Sequence, residues 1–360
     1  MTDTDLVRDT PVPGRRALRI GPVSTVRRPR ALLVVGVGTV LLVLVALVTL
    51  TLGDYPVGLG DVAAALVGGG DRATRFIVLG LRLPGTLTGV LVGAALALAG
   101  AITQTVARNP LASPDLTGVT QGASAAALVA IVLGVPTAGL SGSLAIPAAA
   151  LVGGLGTGLL VVALAWRHGL DSQRLVLVGV GVSFAMVAVV SYLLTVARIE
   201  QASQAKVWLT GSLSGRGFEH VVPVTVALAV LVPVALVLHA RLDVLALGDD
   251  TAGGLGIRVD RARTTALVVA AALAAVATAS AGPVDFVALV CPQVALRLTR
   301  SARPPLVASM VLGALLTVSA DLVTRTLLSG IGTPVGVVTA VIGGPFLLYL
   351  LTRGRGGIRA

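Results

Sequence analysis

Long apolar runs alternate with short charged segments along almost the whole chain. Uncharged stretches recur from residue 31 to the C-terminal end, and many reach the roughly 20 residues that a helix needs to cross a bilayer. Strands of the outer-membrane barrel type, which alternate over about ten residues, have no counterpart in this pattern. The chain is therefore predicted to be an all-α polytopic membrane protein.

Ten transmembrane helices are predicted from these runs. They are residues 31–52, 86–107, two helices within 116–165, 174–197, 221–239, 264–281, 284–298, 305–328 and 334–352. The uncharged stretch 116–165 is too long for one helix. Gly134, Pro136, Gly139 and Gly142 therefore predict a tight turn between the third and fourth spans.

The remaining segments complete the predicted organisation. Residues 1–30 are polar, basic and contain proline, which is typical of a disordered cytoplasmic tail. The transmembrane domain covers residues 31–352, and a second cytoplasmic tail covers residues 353–360. Residues 53–81 mix acidic and basic side chains, which predicts an external loop with a short helix.

The distribution of basic residues predicts the orientation. The chain has 360 residues, of which 55% are hydrophobic and 12% charged, and its formal net charge is +11. The basic residues lie at the ends of apolar runs, so membrane topology explains them and nucleic-acid binding is not predicted. With the N-terminus inside, the predicted internal segments hold 20 basic residues and the external ones 7. Both termini are therefore predicted to be cytoplasmic.

The residue content argues against several kinds of chemistry. Cys291 is the only cysteine, which rules out an intramolecular disulfide and a multi-cysteine metal site. A Walker A loop needs a Gly-Lys-Ser/Thr step, but Lys206, the only lysine, is followed by Val207. We therefore predict a chain that is not an enzyme and that binds no cofactor or metal of its own.

A stiff turn is predicted after the second span. Its residues include Arg108, Asn109, Pro110, Leu111 and Pro114. Two prolines within five residues restrict the backbone to a sharp reversal, and asparagine suits a cap or a left-handed position. A plain helix connection would show the same residues.

A second segment of interest joins the sixth and seventh spans at about 242–260. Its pattern residues are Leu247, Gly248, Asp249, Ala252, Leu255 and Gly256. Acidic residues at the start suit a short helix, on which Leu247, Ala252 and Leu255 would form an apolar ridge. Such a cytoplasmic helix needs a partner groove, although an ordinary capped loop helix remains the alternative.

These segments resemble the FecCD-like permeases, the iron-siderophore and cobalamin branch of type II ABC importers. The turn matches the family's Asn-Pro-Leu-Ala-x-Pro pattern, and the loop at about 242–260 matches Leu-Gly-acidic, Ala, Leu-Gly. We call this loop the coupling loop, after the role that the resemblance implies. Further matches are Gly282-Pro283-Val284, Phe286, Pro334 to Thr339, and Gly344-Pro345-Phe346. The resemblance runs from about Arg82 to Leu351. Two departures are Gly85, where the family usually has a second Arg, and Gln293, where it has His.

The resemblance implies a cobalamin-permease-like fold of about ten transmembrane helices in a bacterial cytoplasmic membrane. It implies that the coupling loop docks on separate ATP-binding subunits, which would hold ATP and Mg²⁺. A second permease copy or a paralogue would complete the channel, and an extracytoplasmic binding protein would deliver the substrate. A ferric siderophore is the expected cargo, with cobalamin and haem as alternatives.

Charged residues inside the predicted spans are candidate functional positions. Asp321 and Arg325 match a family pair and, four positions apart, share one helix face. An intramembrane ion pair is expected, with a gating or pathway role as the alternative. Asp285 follows the Gly282-Pro283 break, and we predict that it lies near the outer mouth, where it can meet water or a cationic ligand.

Two other function classes remain open. Gly139-Leu140-Ser141-Gly142 matches the Gly-x-Ser-Gly pattern of rhomboid-like intramembrane serine proteases. Such a serine needs a histidine base, but all three histidines lie at predicted helix ends or in loops, at His168, His220 and His239. An ion-driven secondary transporter usually buries several ionisable groups at mid-membrane, and the predicted spans hold essentially one acid and one arginine.

Overall fold

A computed structural model of the chain describes residues 17–20, 23–26, 29–53, 55–134, 142–167, 172–327 and 333–353. Helices dominate these residues. The α-helices are α1 Pro29–Thr51, α2 Leu59–Leu66, α3 Arg72–Arg75, α4 Leu83–Ala107, α5 Val119–Leu133, α6 Gly142–Ala165, α7 Ser172–Val196, α8 Ile199–Leu209, α9 Phe218–Val237, α10 His239–Leu245, α11 Asp249–Gly254, α12 Val259–Ala281, α13 Val287–Thr299, α14 Leu306–Leu327 and α15 Val335–Arg353. A π-helical segment, Phe76–Arg82, joins α3 to α4, and a 3₁₀ turn, Pro114–Thr117, precedes α5.

Ten of these helices coincide with the ten predicted spans. Seven helical segments in the described residues are long and apolar enough to cross a membrane, the second of them being the continuous run Arg72–Ala107. Three shorter apolar helices, Val119–Leu133, Val287–Thr299 and Val335–Leu350, complete the set. The prediction of an all-α polytopic fold with about ten spans is confirmed. The predicted turn at Gly134–Gly142 lies mostly outside the described residues.

Two short strands lie within the segment that the sequence predicts to be a disordered tail. Strand β1, Ala17–Ile20, pairs antiparallel with β2, Val23–Val26, so that Ala17 faces Val26 and Ile20 faces Val23. The sequence analysis did not predict this hairpin. The rest of residues 1–28 lies outside the described residues, so the division into tail and transmembrane domain stays a prediction.

Helices α4 and α12 form the centre of the bundle. Most of their residues are buried, and α4 contacts α12, α13 and α14. By contrast, only 6% of the most apolar stretch of α1 and 11% of that of α7 is buried. An apolar helix that is exposed in the isolated chain suits contact with lipid or with another membrane protein.

Small residues let the central helices touch backbone to backbone. A Cβ atom at Gly93 would overlap the carbonyl oxygen of Gly313 on α14, and one at Gly100 would overlap that of Ala288 on α13. Glycine is therefore required at both positions of α4. Close approach of this kind is how helices pack in membranes, where apolar side chains gain little from leaving lipid.

Two half-length helices, α5 and α13, begin inside the bundle and not at its ends. Gly118, with φ +75°, lies against Thr157 and Ser183 in the middle parts of α6 and α7. Ala288, in the first turn of α13, packs on Gly100, which lies about 25 Å along α4 from its first residue. The residues that lead into these helices therefore cross part of the bundle outside any α-helix, as the turn and 3₁₀ segment before α5 and as irregular backbone before α13.

The loops separate into two groups at opposite ends of the bundle. At one end, which we call the coupling end, Arg108 contacts the coupling loop and Arg303 contacts Asp243. At the opposite end, Arg82 contacts the backbone of the last turn of α1, and Ser212 contacts the end of α12 at Ala281. This grouping agrees with the predicted assignment of loops to two sides of a membrane.

Candidate functional site

The turn after α4 reverses the chain by a left-handed residue. Arg108 has φ +49° and ends α4. Asn109 follows and accepts a hydrogen bond on its side-chain oxygen from the backbone N–H of Leu111 at 2.9 Å. The sequence analysis expected Asn109 to be a cap or a left-handed residue. The left-handed residue is instead Arg108, one position earlier. Asn109 instead stabilises the turn by a local side-chain bond.

The coupling loop contains two short helices, α10 and α11. Gly248 before α11 has φ +118°, and Gly256 after it has φ +81°. Both values lie where side chains other than glycine are strained. Asp249 and Asp250 occupy the first turn of α11, where carboxylates interact favourably with the helix dipole. The predicted short helix with an acidic start is therefore present.

The predicted apolar ridge is partly wrong. Leu247 and Leu255 project outward with 65% and 63% of their surface exposed, but Ala252 is completely buried. Ala252 is buried because α11 packs against α10 and α12, so one face of this short helix is turned inward. The exposed apolar feature consists of two leucines, one on each side of α11.

Asp249 joins the two predicted cytoplasmic motifs by ion pairs. It binds Arg108 of the turn, and it accepts two hydrogen bonds from Nη2 of Arg263 on α12, at 2.8 and 3.1 Å. The Nε of Arg108 also donates to the carbonyl of Leu245 at 3.2 Å. Arg263 is buried, whereas the Asp249 side chain is about half exposed. The structure thus brings together two motifs that the sequence could only place on the same side.

A second ion pair holds the start of the coupling loop. Asp243 on α10 binds Arg303, which precedes α14 and is buried. Arg303 also contacts Nδ1 and the carbonyl oxygen of His239, at 2.8 and 3.2 Å. The sequence analysis missed this contact because Asp243 and Arg303 lie in separate loops. The coupling loop is therefore tied to α4, α12 and the segment before α14.

The opposite end carries the predicted external loop. It contains α2, α3 and the π-helical segment, which confirms the prediction of a helix there. Asp71 caps α3, and its carboxylate accepts from the N–H groups of Ala73 and Thr74 at 3.0 and 3.1 Å. Hydrogen bonds from the side chain and backbone of Thr74 hold the pKa of Asp71 below its ordinary value.

Asp321 and Arg325 form the predicted ion pair on α14. Nε of Arg325 donates to the Asp321 carboxylate at 2.8 Å, and Asp321 is buried. The Arg325 guanidinium lies beside Gly85, where a Cβ would be 3.2 Å from its Nη2 and 3.0 Å from the carbonyl of Leu213. Because position 85 is glycine and not a second arginine, there is room for the Arg325 guanidinium beside it.

A cavity of about 560 Å³ lies next to this pair at the opposite end. Arg82, Arg325 and Ser212 contribute to its wall. Arg82 is buried and donates to the carbonyls of Leu50 and Tyr55. Its wall thus combines apolar side chains with two arginines, of which Arg325 is paired with Asp321.

Gln293, the second departure from the family pattern, makes a buried polar contact. Its Nε2 donates to the side-chain oxygen of Gln104 at 2.7 Å, and Gln104 donates in turn to the carbonyl of Leu289 at 3.0 Å. Pro292 within α13 supplies no N–H, which removes one bond from the helix ladder. The Gln104–Gln293 pair therefore connects α13 to α4 close to Pro292, where α13 lacks one backbone hydrogen bond.

The predicted position of Asp285 needs a correction. The chain turns inward after Gly282, and Ala288 already lies about 25 Å along α4. Three residues span at most about 11 Å, so Asp285 is deeper than the outer helix ends by roughly 10 Å or more. It is exposed in the isolated chain and within electrostatic reach of Asp115 in the 3₁₀ turn. The sequence analysis did not single out Asp115.

The remaining candidate sites receive no geometric support from the described residues. No group of three His, Cys, Asp or Glu side chains among them has a metal-binding arrangement. The protease-like residues Gly139 to Ser141 lie outside the described part of the chain. Gly142, their last member, begins α6.

The long apolar helices around the buried α4–α12 core define a multi-pass α-helical membrane protein. The chain belongs to the FecCD transport family, whose sequence model matches residues 40–353. The resemblance noted in the sequence is therefore confirmed.

Two curated relatives agree with this assignment. The ferric enterobactin transport system permease protein FepG of Escherichia coli (strain K12) is 42% identical over 292 residues, which cover 81% of this chain and 87% of the relative. The Fe(3+)-citrate import system permease protein YfmE of Bacillus subtilis (strain 168) is 35% identical over 329 residues, covering 91% and 97%.

A solved structure supports the same fold. An inward-facing conformation of a metal-chelate type ABC transporter matches with a TM-score of 0.78 and 28% identity. The match covers 89% of this chain and 99% of that one. The helix arrangement described above therefore recurs through the whole length of a transporter subunit.

Proposed function

We propose that this chain is the permease subunit of an ATP-binding-cassette importer that moves a ferric-chelate complex, expected to be an iron-siderophore, across a bacterial cytoplasmic membrane. The observation that carries the proposal is the family membership together with the ion-paired coupling loop. Both termini would face the cytoplasm, in line with the distribution of arginines.

The coupling loop is the proposed contact with the ATP-binding subunit. Leu247 and Leu255 are exposed on a surface otherwise rich in charge, and α11 between them is held by Asp249. Isolated exposed leucines are ordinary on a protein surface. Leu247 and Leu255, however, flank a short helix that ion pairs connect to α4 and α12. This arrangement suits a docking element, because movement of a bound partner would then be transmitted to the core of the bundle.

The chain would not hydrolyse ATP itself. ATP and Mg²⁺ would sit on the partner subunits, and no cofactor or metal is proposed on this chain. A second permease copy or a paralogue would complete the pathway around a two-fold axis, and an extracytoplasmic binding protein would deliver the cargo. The cavity lined in part by Arg82 and Arg325 is the feature at the opposite end that suits such a delivery surface.

Asp285 and Asp115 are the proposed polar positions of the pathway. Both lie next to half-length helices inside the bundle, and charged groups at such breaks usually face water or a neighbouring subunit. Asp321 and Arg325 are joined by one hydrogen bond within the same helix, which favours a structural role for that pair, although Oδ1 of Asp321 is buried without a hydrogen-bond partner.

Iron uptake tests the proposed cargo. An iron-starved deletion strain would receive radiolabelled ferric siderophore, with and without the gene restored. We expect uptake that depends on the gene and stops when ATP is depleted. Uptake that persists after ATP depletion would indicate an ion-driven transporter. Uptake that does not depend on the gene would contradict an iron-siderophore cargo and would direct the same assay to cobalamin and haem.

A further inference from the structure

Six arginines surround the coupling loop, and they fall into two sets. Three of them, Arg108, Arg263 and Arg303, form ion pairs with Asp249 or Asp243. The other three are exposed, and their side chains form no ion pair or hydrogen bond with any residue in the described part of the chain; they are Arg241, Arg258 and Arg261. Acidic residues of the loop thus neutralise the three arginines of the first set. The three arginines of the second set keep their positive charge without an ion-pair partner in the described part of the chain.

The second set encloses a pocket of about 380 Å³. Arg241 reaches it from α10, whereas Arg258 and Arg261 stand at the start of α12. Gly256 and Ile257 form the rest of the wall with the neighbouring Ala262. We call this feature the arginine pocket.

The arginine pocket has an excess of positive charge. Asp260 is the acidic residue between two of the arginines in sequence, and a single carboxylate cannot balance three guanidinium groups. Like charges around one cavity repel each other. Guanidinium groups bind carboxylates in a bidentate geometry, which makes an external acidic group the matching occupant.

The position of the pocket indicates which molecule carries that acidic group. Its wall begins at Gly256, directly after Leu255, one of the two leucines in the proposed contact with the ATP-binding subunit. A protein surface that covers Leu255 must also cover the residues beside it. An anionic lipid headgroup would need to reach the same place from the membrane side of the loop.

We propose that the arginine pocket accepts acidic side chains from the ATP-binding subunit when the coupling loop docks. The inference rests on the proposed function and adds the chemistry of the partner surface. That surface would combine an apolar groove for the two leucines with carboxylates at its rim. Charges of this kind mainly direct partner choice and speed of association.

Charge reversal tests the inference. The variant Arg258→Glu/Arg261→Glu would be compared with the full-length chain in its complex with the ATP-binding subunit, which is identified by its Walker A sequence. Acidic residues suit the first turn of a helix, so the substitutions should leave α12 intact. A matched control is Arg167→Glu/Arg174→Glu, which reverses two arginines at the ends of α6 and α7 at the same end of the bundle.

Binding of the ATP-binding subunit would be measured in neutral proteoliposomes at about 0.05 M and about 0.5 M salt, since salt screens exposed charges. We expect the variant to bind roughly tenfold or more weakly at low salt, because two attractions become repulsions. Its binding should also lose most of its salt dependence, and the control should resemble the unsubstituted chain.

Three results would overturn the inference. Equal binding of the variant and the unsubstituted chain would show that the arginine pocket does not contact the subunit. Equal weakening of the control would show that any positive charge at this end suffices. A defect that arises only in vesicles containing anionic lipid would assign the pocket to headgroups. Failure of the unsubstituted chain to bind any ATP-binding subunit would instead contradict the proposed function.

Discussion

Arg108 and Asp249 are 141 positions apart in the chain, yet their side chains form an ion pair. Asp249 also binds Arg263 of α12. The turn after α4, the first residue of α11 and the first turns of α12 therefore meet at one carboxylate. Because α4 and α12 are central to the bundle, this carboxylate connects the coupling loop to its core.

Substitution Asp249→Asn should weaken the coupling end. The change removes the charge that two arginines share and leaves Arg263 buried beside a neutral group. We expect a loss of about 1–2 kcal/mol in stability, since Asp249 is half exposed, and more ATP hydrolysed per imported iron. Thermal unfolding in detergent and a coupled transport assay would measure these effects.

Asp250→Asn is the matched control, because Asp250 is the next residue of α11 and is exposed. It should change both quantities little. Equal effects of the two substitutions would show that general acidity of α11 matters and not the ion pairs of Asp249.

Substitutions Leu247→Asp and Leu255→Asp should separate the permease from the ATP-binding subunit. Each leucine offers an apolar surface whose burial contributes about 1.5–3 kcal/mol, so binding should fall roughly tenfold or more for each. Membrane insertion should be unaffected, since both side chains are exposed. Co-purification of the ATP-binding subunit would measure the change.

Leu59→Asp provides the control, because Leu59 has similar exposure, 62%, in α2 at the opposite end. Normal co-purification with both coupling-loop variants, or an equal loss with Leu59→Asp, would contradict the assignment of the coupling loop.

The Asp321–Arg325 pair can be tested by paired substitutions. Removing one partner leaves a buried or half-buried charge alone, so Asp321→Leu and Arg325→Met should each lower stability by about 3–5 kcal/mol. The double variant should recover most of that loss, because an apolar pair of similar size replaces the ion pair. Thermal unfolding of the three variants measures this cycle.

Uptake by the double variant then decides the role of the pair. Normal uptake is expected for a structural pair. A stable double variant that cannot import iron would instead assign the pair to gating or to the pathway.

Substitution Gly100→Ala should disrupt the packing of α4 against α13. The added methyl group overlaps the carbonyl of Ala288, and overpacking usually costs about 1–3 kcal/mol or more. Gly156→Ala on α6 is the control, since nothing lies within 4 Å of a Cβ there. The amount of folded protein in the membrane would measure both, and a tolerated Gly100→Ala would contradict the close approach.

Helix positions were the most predictable part of the fold. The second span was predicted at 86–107 and α4 covers Leu83–Ala107, because the absence of charge defines which residues can lie in the membrane. The absence of charge does not show how deep inside the bundle a helix begins. Asp285 was therefore placed too far out, since nothing in the sequence shows that α13 begins inside the bundle.

Contacts between loops were the least predictable part of the candidate site. The pattern around Leu247 identified a helix with an acidic start, and the structure has one. Which face of α11 packs inward depends on the bundle below it, so Ala252 was assigned to the wrong side. The pairing of Asp243 with Arg303 likewise depends on the arrangement of three separate loops.

The glycine contacts of α4 have a consequence for how this half of a transporter can move. Where Gly93 meets Gly313 and Gly100 meets Ala288, backbone touches backbone and no side chain stands between them to change rotamer. Displacement of one helix should then move the next helix by the same amount, because no side chain between them can change conformation to compensate. The α4, α13 and α14 helices should therefore tilt together as one rigid unit, and bending should be confined to the non-α-helical segments before α5 and α13.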